Sequence, residues 1–584
     1  MTVFSIKYLI LSTGVSAILT LSCKKSNTPN VDPDPPTGGT DTTIVRPVTD
    51  PAVANTIDFF LNDWQAKTFT TPEYTEVVVP NTATTNIVTV DASSIITKIP
   101  TTITGHNANT WMTPMVDQPL FMNHITNLRP HVIRWPAGSA SDIYFWNRPQ
   151  DSPPADAPSQ LMNAGGTLQN SGYWYGKINN NWSASTDQYY QMRQQSGNNE
   201  GVITINYGYA RYGTSDDPVA AAAHLAADWV RYDNGRTKYW EIGNESYGDW
   251  EAGYRIDVSK NKDGQPEYLT GKLYAHHFKV FADSMRKAAT EIGKIIYIGA
   301  VTYEAATEGW QTNTVKTWNQ TMIPELNGAN DYYIAHNYFT PYETNSNAKD
   351  ILNAALTVPA TMINFITSQI QTYGGVIKPV ALTEWNMFAT GSKQQVSNIS
   401  GLFATIILGE TIKNKYGLAA RWDLLNGWSN GNDHGLFSDG GEPDIAKWTP
   451  RPSFYYMYFF QKLLGDRLVP ASVSGSTDIK AYASTFSSGQ INTTLINTGT
   501  TPVTVELKWK NFKPGNRFYW YSLEGGNDNG EFSRKVSING MGTTLEAGGP
   551  EHYTSIKANA ASTTNGVKVT VPARGTVILA VDKK

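Results

Sequence analysis

The sequence predicts an α/β protein: a (β/α)8 TIM barrel followed by a C-terminal all-β sandwich domain. Three observations predict it. Eight short apolar runs, many of them β-branched, recur between residues 101 and 465. Longer segments of helical period separate them. Beyond Gly465 strand-like runs continue without helices between them.

The elements follow in order. The N-terminus, "MTVFSIKYLILSTGVSAILTLSCKKS", has the form of an export signal over 1–22, with Lys7 before an apolar stretch from Tyr8 to Leu21. That stretch is short for a membrane span and is broken by Ser and Thr. Cys23 is the only cysteine, so no intrachain disulfide can form. It follows Ser22 just past the apolar run, as at a bacterial lipoprotein cleavage site, with Thr20 where Leu is usual. Lipidation of Cys23 would tether the exported body to a membrane without spanning it. Residues 23–55, rich in Pro, Thr, Asp and Gly, form a stiff linker. Residues 56–100 lead to the barrel, and "NIVTVDASSIITKI" within them is expected to add a strand to the sandwich.

Across 101–465 the strand candidates are "TTITGHNANTW", "HVIRWPAGS", "GVITINYG", "KYWEIGNE", "KIIYIGAV", "DYYIAHNYF", "KPVALTEWN" and "LAARWDLLN". In the helical segment "SDDPVAAAAHLAADWVRYDNG", Asp216 or Asp217 suits the N-cap, Pro218 the first helical position and Asn234-Gly235 the stop. "GKLYAHHFKVFADSMRKAATEIG", "AKDILNAALTVPATMINFITSQIQTYGG" and "QVSNISGLFATIILGETIKNKYG" are further helices. "SFYYMYFFQKLLG" closes the barrel, and 466–584 is the sandwich.

Composition narrows the function. Charged residues are 16% and aromatics 12%, which argues against disorder or a coiled coil. A net charge of −4 gives no case for a nucleic-acid partner. The 17 Trp and 31 Tyr suit either packing or the stacking of flat rings on sugar faces.

In barrels of this kind, chemistry sits at the C-terminal ends of the strands. Those ends carry His106 and Asn107, Arg134, Asn206 and Tyr207, Asn244 and Glu245, His336 and Tyr338, Glu384, and Asp423. Glu245 ends the fourth strand and Glu384 the seventh, across the barrel, so both can face one mouth. Glycoside hydrolysis needs such a pair: one carboxyl protonates the leaving oxygen, and the other attacks or activates water. Trp111, Trp146, Trp385, Trp422 and Trp428 are candidate sugar platforms or rim packing. His276-His277 lie inside a helix, and "GGNDNGE" at 525–531 reads as a polar hairpin rather than a calcium loop. The sequence has no HExxH, Walker-type loop or cysteine cluster, so neither metal nor cofactor is expected.

The motifs "WEIGNE", "LTEWN", "VIRWPAGSASDIYFW" and "ITINYG" resemble those of clan A retaining glycoside hydrolases, most nearly the α-L-arabinofuranosidase family and its endo-acting relatives. Trp135 and Ala137 stand where that family usually shows Phe and Gly, and Asn337 separates His336 from Tyr338. The resemblance implies Glu245 as acid/base and Glu384 as nucleophile. It implies that Asn244 reads the sugar 2-hydroxyl, that Arg134 keeps Glu384 ionised, and that His336 or Tyr338 bonds the nucleophile or the sugar. Asn206, His106, Trp146, Trp385 and Trp422 complete the expected substrate-binding set. Expected substrates are α-L-arabinofuranosides or, with an endo-β-glycanase, glucan, xylan or agar-like chains. A lipoprotein that only captures glycans would keep the aromatics but has no need of two opposed Glu residues.

Overall fold

The computed structural model describes residues 49–136 and 138–584. Cys23, the export signal and most of the linker lie outside the described residues. The barrel strands are β1 (Gly105–Asn107), β2 (Val132–Trp135), β3 (Glu200–Ile205), β4 (Tyr239–Ile242), β5 (Tyr297–Val301), β6 (Tyr332–Asn337), β7 (Val380–Trp385) and β8 (Leu418–Arg421). All pair in parallel and β8 closes on β1 through Ala420 opposite Gly105, giving the expected eight-stranded barrel. Their short, apolar character follows from burial on both faces. Register shifts flank β7, between Ala335 and His336 and between Leu382 and Trp385. Such irregularities re-aim side chains, and here they fall where Glu384 and His336 sit.

Eight helices cover the barrel: α1 (Pro119–Leu128), α2 (Thr186–Gln195), α3 (Pro218–Asp233), α4 (Gly271–Glu291), α5 (Asn313–Leu326), α6 (Ala348–Thr372), α7 (Asn398–Lys413) and α8 (Pro452–Leu463). Local chemistry sets their starts. Asp217 accepts from the Ala220 amide ahead of α3, and Ser185 and Gln188 form a reciprocal capping box on α2. Asn234 ends α3 in the left-handed region. Helix α7 is buried on all sides because the sandwich covers its outer face. Gly401 and Gly409 let Tyr456 and Tyr482 pack flush on it, and the Tyr482 hydroxyl donates to Glu410 at 2.9 Å.

The sandwich has a larger sheet that includes Ile479–Thr485, Ile491–Asn497, Pro514–Gly525 and Gly575–Lys583. Its smaller sheet is formed by Ala471–Ser474, Ile87–Asp91, Val503–Lys510 and Val567–Val571. Val90, Leu495, Val505, Phe518, Val569 and Leu579 fill the space between them. The pre-barrel segment supplies more than one strand. Ile87–Asp91 joins the smaller sheet, while Thr97–Lys98 and Tyr74–Glu76 join the larger.

The linker reading to residue 55 needs correction. The chain is already docked at Asp50, which pairs with Arg467 at 2.6 Å and Lys98 at 3.2 Å. Not all of 56–100 serves the sandwich either. A helical turn at Asp58–Leu61 covers the N-terminal face of the barrel, where Phe59 stacks on Tyr297 at 3.9 Å and Phe60 packs on Tyr239 and Tyr332. Open strand ends expose apolar edges, and aromatic rings seal this floor.

Candidate active site

The opposite face of the barrel gathers charge. Arg134, on β2, is fully buried, and a buried guanidinium must find partners for its donors. Its Nε donates to Glu241 at 2.7 Å, Nη1 to Asn107 at 2.9 Å and Glu384 at 3.2 Å, and Nη2 to Asn244 at 2.9 Å. One cation therefore ties β1, β4, β7 and the loop after β4 together. Thr204 adds a hydroxyl donor to Glu241 at 3.0 Å.

Glu245 lies three residues beyond β4. Gly243 turns the chain at φ 78°, and Glu245 itself sits at φ 38°. A non-glycine residue there is strained, by about 1–2 kcal/mol. The turn places Glu245 Oε1 at 3.1 Å from His336 Nδ1, while Oε2 accepts from the Trp250 indole at 3.1 Å. Across the mouth, Glu384 Oε1 accepts from the Tyr338 hydroxyl at 2.5 Å, and Oε2 lies 3.6 Å from His336 Nδ1. Glu245, His336 and Glu384 each present an atom within 4.8 Å of the other two. These three side chains are also the set that could ligand a metal. Within the set, His336 Nδ1 stands 3.1 Å from Glu245 and 3.6 Å from Glu384, and Arg134 already supplies a cation at Glu384.

The groups bias one another's charge. Burial opposes protonation of His336, but the Glu384 charge and the hydrogen bond to Glu245 outweigh it and raise its pKa. Burial pushes Glu384 above the usual carboxylate range; His336 and Arg134 pull it down, and Glu245 pushes it up. The expectation that Arg134 simply holds Glu384 ionised is therefore too strong. Arg134 makes its shorter contact to Glu241, and its effect on Glu384 is shared.

A second ring of carboxyls supports this centre. Asn244 donates through Nδ2 to Glu251 at 2.9 Å, and Ser139 donates to the same Glu251 oxygen at 2.8 Å. Burial, then the charges of Asp142 and Glu245, raises the Glu251 carboxyl well above the carboxylate range. Asp142 accepts from the amides of Tyr207, Gly208 and Asn244, yet burial still carries it up to about 7. Glu304, after β5, accepts from Asn337 at 3.1 Å and is raised to about 7, by burial first and then by the Glu245 charge.

Of the expected site residues, Glu245, Glu384, Asn244, Arg134, His336 and Tyr338 come together at one mouth. Trp422 borders it: the ring lies against Gly138, whose φ of 49° and bare Cα leave it room. Four others lie elsewhere. His106 and Trp385 alternate with Asn107 and Glu384, so strand parity turns them away from the barrel axis. His106 is fully buried, without a hydrogen-bond partner among the described residues, and burial beside Arg421 lowers it to about 3. Trp385 is fully buried and packs on Phe403. Trp146 stacks on Trp229 at 5.5 Å and donates to the Leu225 carbonyl, behind the mouth. Asn206 ties the Tyr144 carbonyl to the Tyr212 hydroxyl, bracing loops rather than facing substrate.

Glu241, Asp142, Glu251, Glu304 and Trp250 were missed. Only Glu241 had a sequence signal, a lone charge inside the apolar run "KYWEIG". A groove of about 1450 Å³ lies at the other end of the barrel by Asp63, Lys67, Arg129 and Lys238, and none of the residues at the mouth lines it.

A closed (β/α)8 barrel with an accompanying β-sandwich and two carboxylates facing across its mouth is an architecture of glycoside hydrolases. Solved structures share the fold. The α-L-arabinofuranosidase from Thermotoga maritima, in its arabinose complex, superposes with a TM-score of 0.58 at 17% identity, covering 85% of this chain and 100% of that one. A bifunctional glucanase-xylanase from a metagenome library gives 0.56 at 12%, covering 85% and 99%. A Paenibacillus polymyxa xyloglucanase of glycoside hydrolase family 44 gives 0.55 at 12%, covering 86% and 100%. No protein-family model and no curated protein matches the chain.

Proposed function

We propose that the protein is a glycoside hydrolase that cleaves a plant or algal polysaccharide, or a fragment of one, with net retention. The approach of Glu245 and Glu384 to within 4.8 Å carries the reading. Retaining enzymes hold their carboxyls about 5–5.5 Å apart, whereas inverting ones leave about 6.5–9.5 Å for a water. Glu384 attacks the anomeric carbon while Glu245 protonates the departing glycosidic oxygen. In the second step Glu245 takes a proton from water, which attacks the same carbon and frees Glu384. Arg134, Tyr338 and His336 hold the Glu384 carboxylate, and the bond from Arg134 to Asn244 supports giving Asn244 the 2-hydroxyl beside the reacting carbon.

The arabinofuranosidase likeness supports an α-L-arabinofuranoside substrate. A β-glycanase reading is favoured by the open mouth, where Trp250 next to Glu245 is 59% exposed. Export and lipid anchoring through Cys23 belong to the same reading, and Cys23→Ala is expected to move the protein from the membrane to the soluble fraction.

Activity is tested on a polysaccharide panel. Glu245→Gln should lose roughly 10²- to 10⁴-fold in kcat, and Glu384→Gln at least as much. NMR of the first-formed product should show the retained anomer. Wild-type rates in both variants would overturn the catalytic assignment, and an inverted product the mechanism.

A further inference from the structure

One row of aromatic rings leaves the mouth and is not used by the chemistry above. Trp422, which follows β8, lies 6.1 Å from Trp111 in the loop after β1. Trp111 lies 6.3 Å from Trp174, and Trp174 lies 5.7 Å from Trp182, both in the long loop after β2. Each ring is turned by 55–63° from the last, so the row is stepped rather than stacked. Exposure rises outward, from 8% at Trp422 to 50% at Trp182, with Trp111 and Trp174 half-buried.

The rings are fixed in place. The Trp111 indole donates to the Leu425 carbonyl at 3.1 Å, and Trp174 sits in a short strand paired with Tyr144. Asn180 Oδ1 accepts from the amides of Trp182 and Ser183 and holds the turn that presents Trp182. Packing accounts for the inner rings. It does not account for an anchored tryptophan half in water at the end of a row that begins at the active site. Exposed apolar surface of this kind marks a binding face, and the C–H face of a pyranose matches a flat indole.

The direction of the row sets its role. Glu245 protonates the departing oxygen, so the leaving group lies on the β4 side, beside Trp250. The row starts at β8, four strands from β4 around the eight-stranded barrel, and its outer rings stand on the loops after β1 and β2. We infer that Trp422, Trp111, Trp174 and Trp182 bind successive sugars on the non-leaving side of the scissile bond, so that the protein cuts within a glycan chain rather than removing one terminal sugar. This rests on the glycoside hydrolase reading and deepens it.

Aryl glycosides test it, because the aryl group fills the leaving side and every sugar falls on the other. The series are aryl β-xylosides and β-glucosides of one to four β-1,4-linked sugars, with aryl α-L-arabinofuranoside as the single-sugar comparison. One series should gain at least tenfold in kcat/KM between one and three sugars. Trp182→Ala and Trp174→Ala should each reduce that ratio by roughly five- to tenfold, and Trp182→Phe should restore most of it. Hydrolysis with a length-independent kcat/KM, or an unchanged ratio in both alanine variants, overturns the row while leaving the hydrolase reading intact. If none of these glycosides is hydrolysed, the hydrolase reading is decided by the polysaccharide panel. The row is then read from calorimetric Kd values of the same compounds, where a Kd that does not fall with length overturns it.

Discussion

Arg134 and Glu241 form a fully buried ion pair at 2.7 Å in the centre of the barrel, shorter than the 3.2 Å contact from Arg134 to Glu384. The residue that steadies the candidate nucleophile is thus itself held by a carboxylate one layer deeper. Glu241→Gln removes that competing anion and leaves Glu384 as the closest charge partner of Arg134. As the proposed nucleophile, Glu384 must be ionised to attack, so activity should be lost as pH falls through its pKa. The substitution lowers that pKa and should move the acidic limb of kcat/KM to lower pH by about one unit. A pH–rate profile measures this, and an acidic limb that stays in place or moves up contradicts it.

Glu251 accepts from Asn244 and is expected to act through it. A hydrogen bond to the sugar 2-hydroxyl strengthens in the transition state, so a misplaced Asn244 costs kcat more than KM. Glu251→Ala should lower kcat by roughly 10- to 100-fold with little change in KM. Glu251→Gln, which keeps an acceptor for Asn244 Nδ2, should recover most of the loss. Equal changes in kcat and KM would count against positioning.

Trp250 donates to the oxygen of Glu245 that faces away from His336. Orientation of a proton donor matters most for leaving groups that need the proton. Trp250→Phe should reduce kcat/KM by about tenfold on a natural glycoside and much less on a dinitrophenyl glycoside. Equal losses on both would assign Trp250 to binding alone.

Buried titrating groups set the pH dependence of stability. His106, His277 and His434 are lowered by burial to about 3, and His124 and His131 to about 4. Up to about pH 6.5 the unfolded chain binds more of these protons, and stability rises with pH. Asp142 and Glu304, raised by burial to about 7, and Asp423, raised by burial to about 8, act in the opposite sense. They hold protons that the unfolded chain has released above about pH 4. Above pH 6.5 the first effect fades and this second one prevails. Stability should therefore peak near pH 6–7 and fall by roughly 1 kcal/mol by pH 8. Calorimetric melting across pH 4–9 measures the curve. Asp423→Asn should flatten its alkaline side, and a Tm still rising at pH 8 contradicts the account.

The barrel was legible because its strands are short, apolar and separated by helices, a texture that burial on both faces imposes. The two opposed Glu residues were legible for the same reason: a charge ending an apolar run stands out. Trp385 and His106 were misplaced because a strand end was treated as one location. Side chains alternate, and with Glu384 and Asn107 turned to the axis their neighbours must turn away. Glu251 and Glu304 were not legible, since loops carry no register. Nor does "GYWYGKINNNW" show that Trp174 and Trp182 line up with Trp111 and Trp422, which stand on two other loops of the chain.

The strand Ile87–Asp91 finds its partners, Ala471–Ser474 and Val503–Lys510, only after the whole barrel has been made. During synthesis its apolar face waits roughly four hundred residues for cover, a separation that makes for slow, late assembly. Neither body can be cut out as a contiguous piece. Truncation after Gly465 strands the early β-segment, and a chain begun at residue 466 lacks a central strand of its smaller sheet. The barrel and the sandwich are thus one folding unit laced through both ends of the chain, and the last hundred residues decide whether the first hundred are usable.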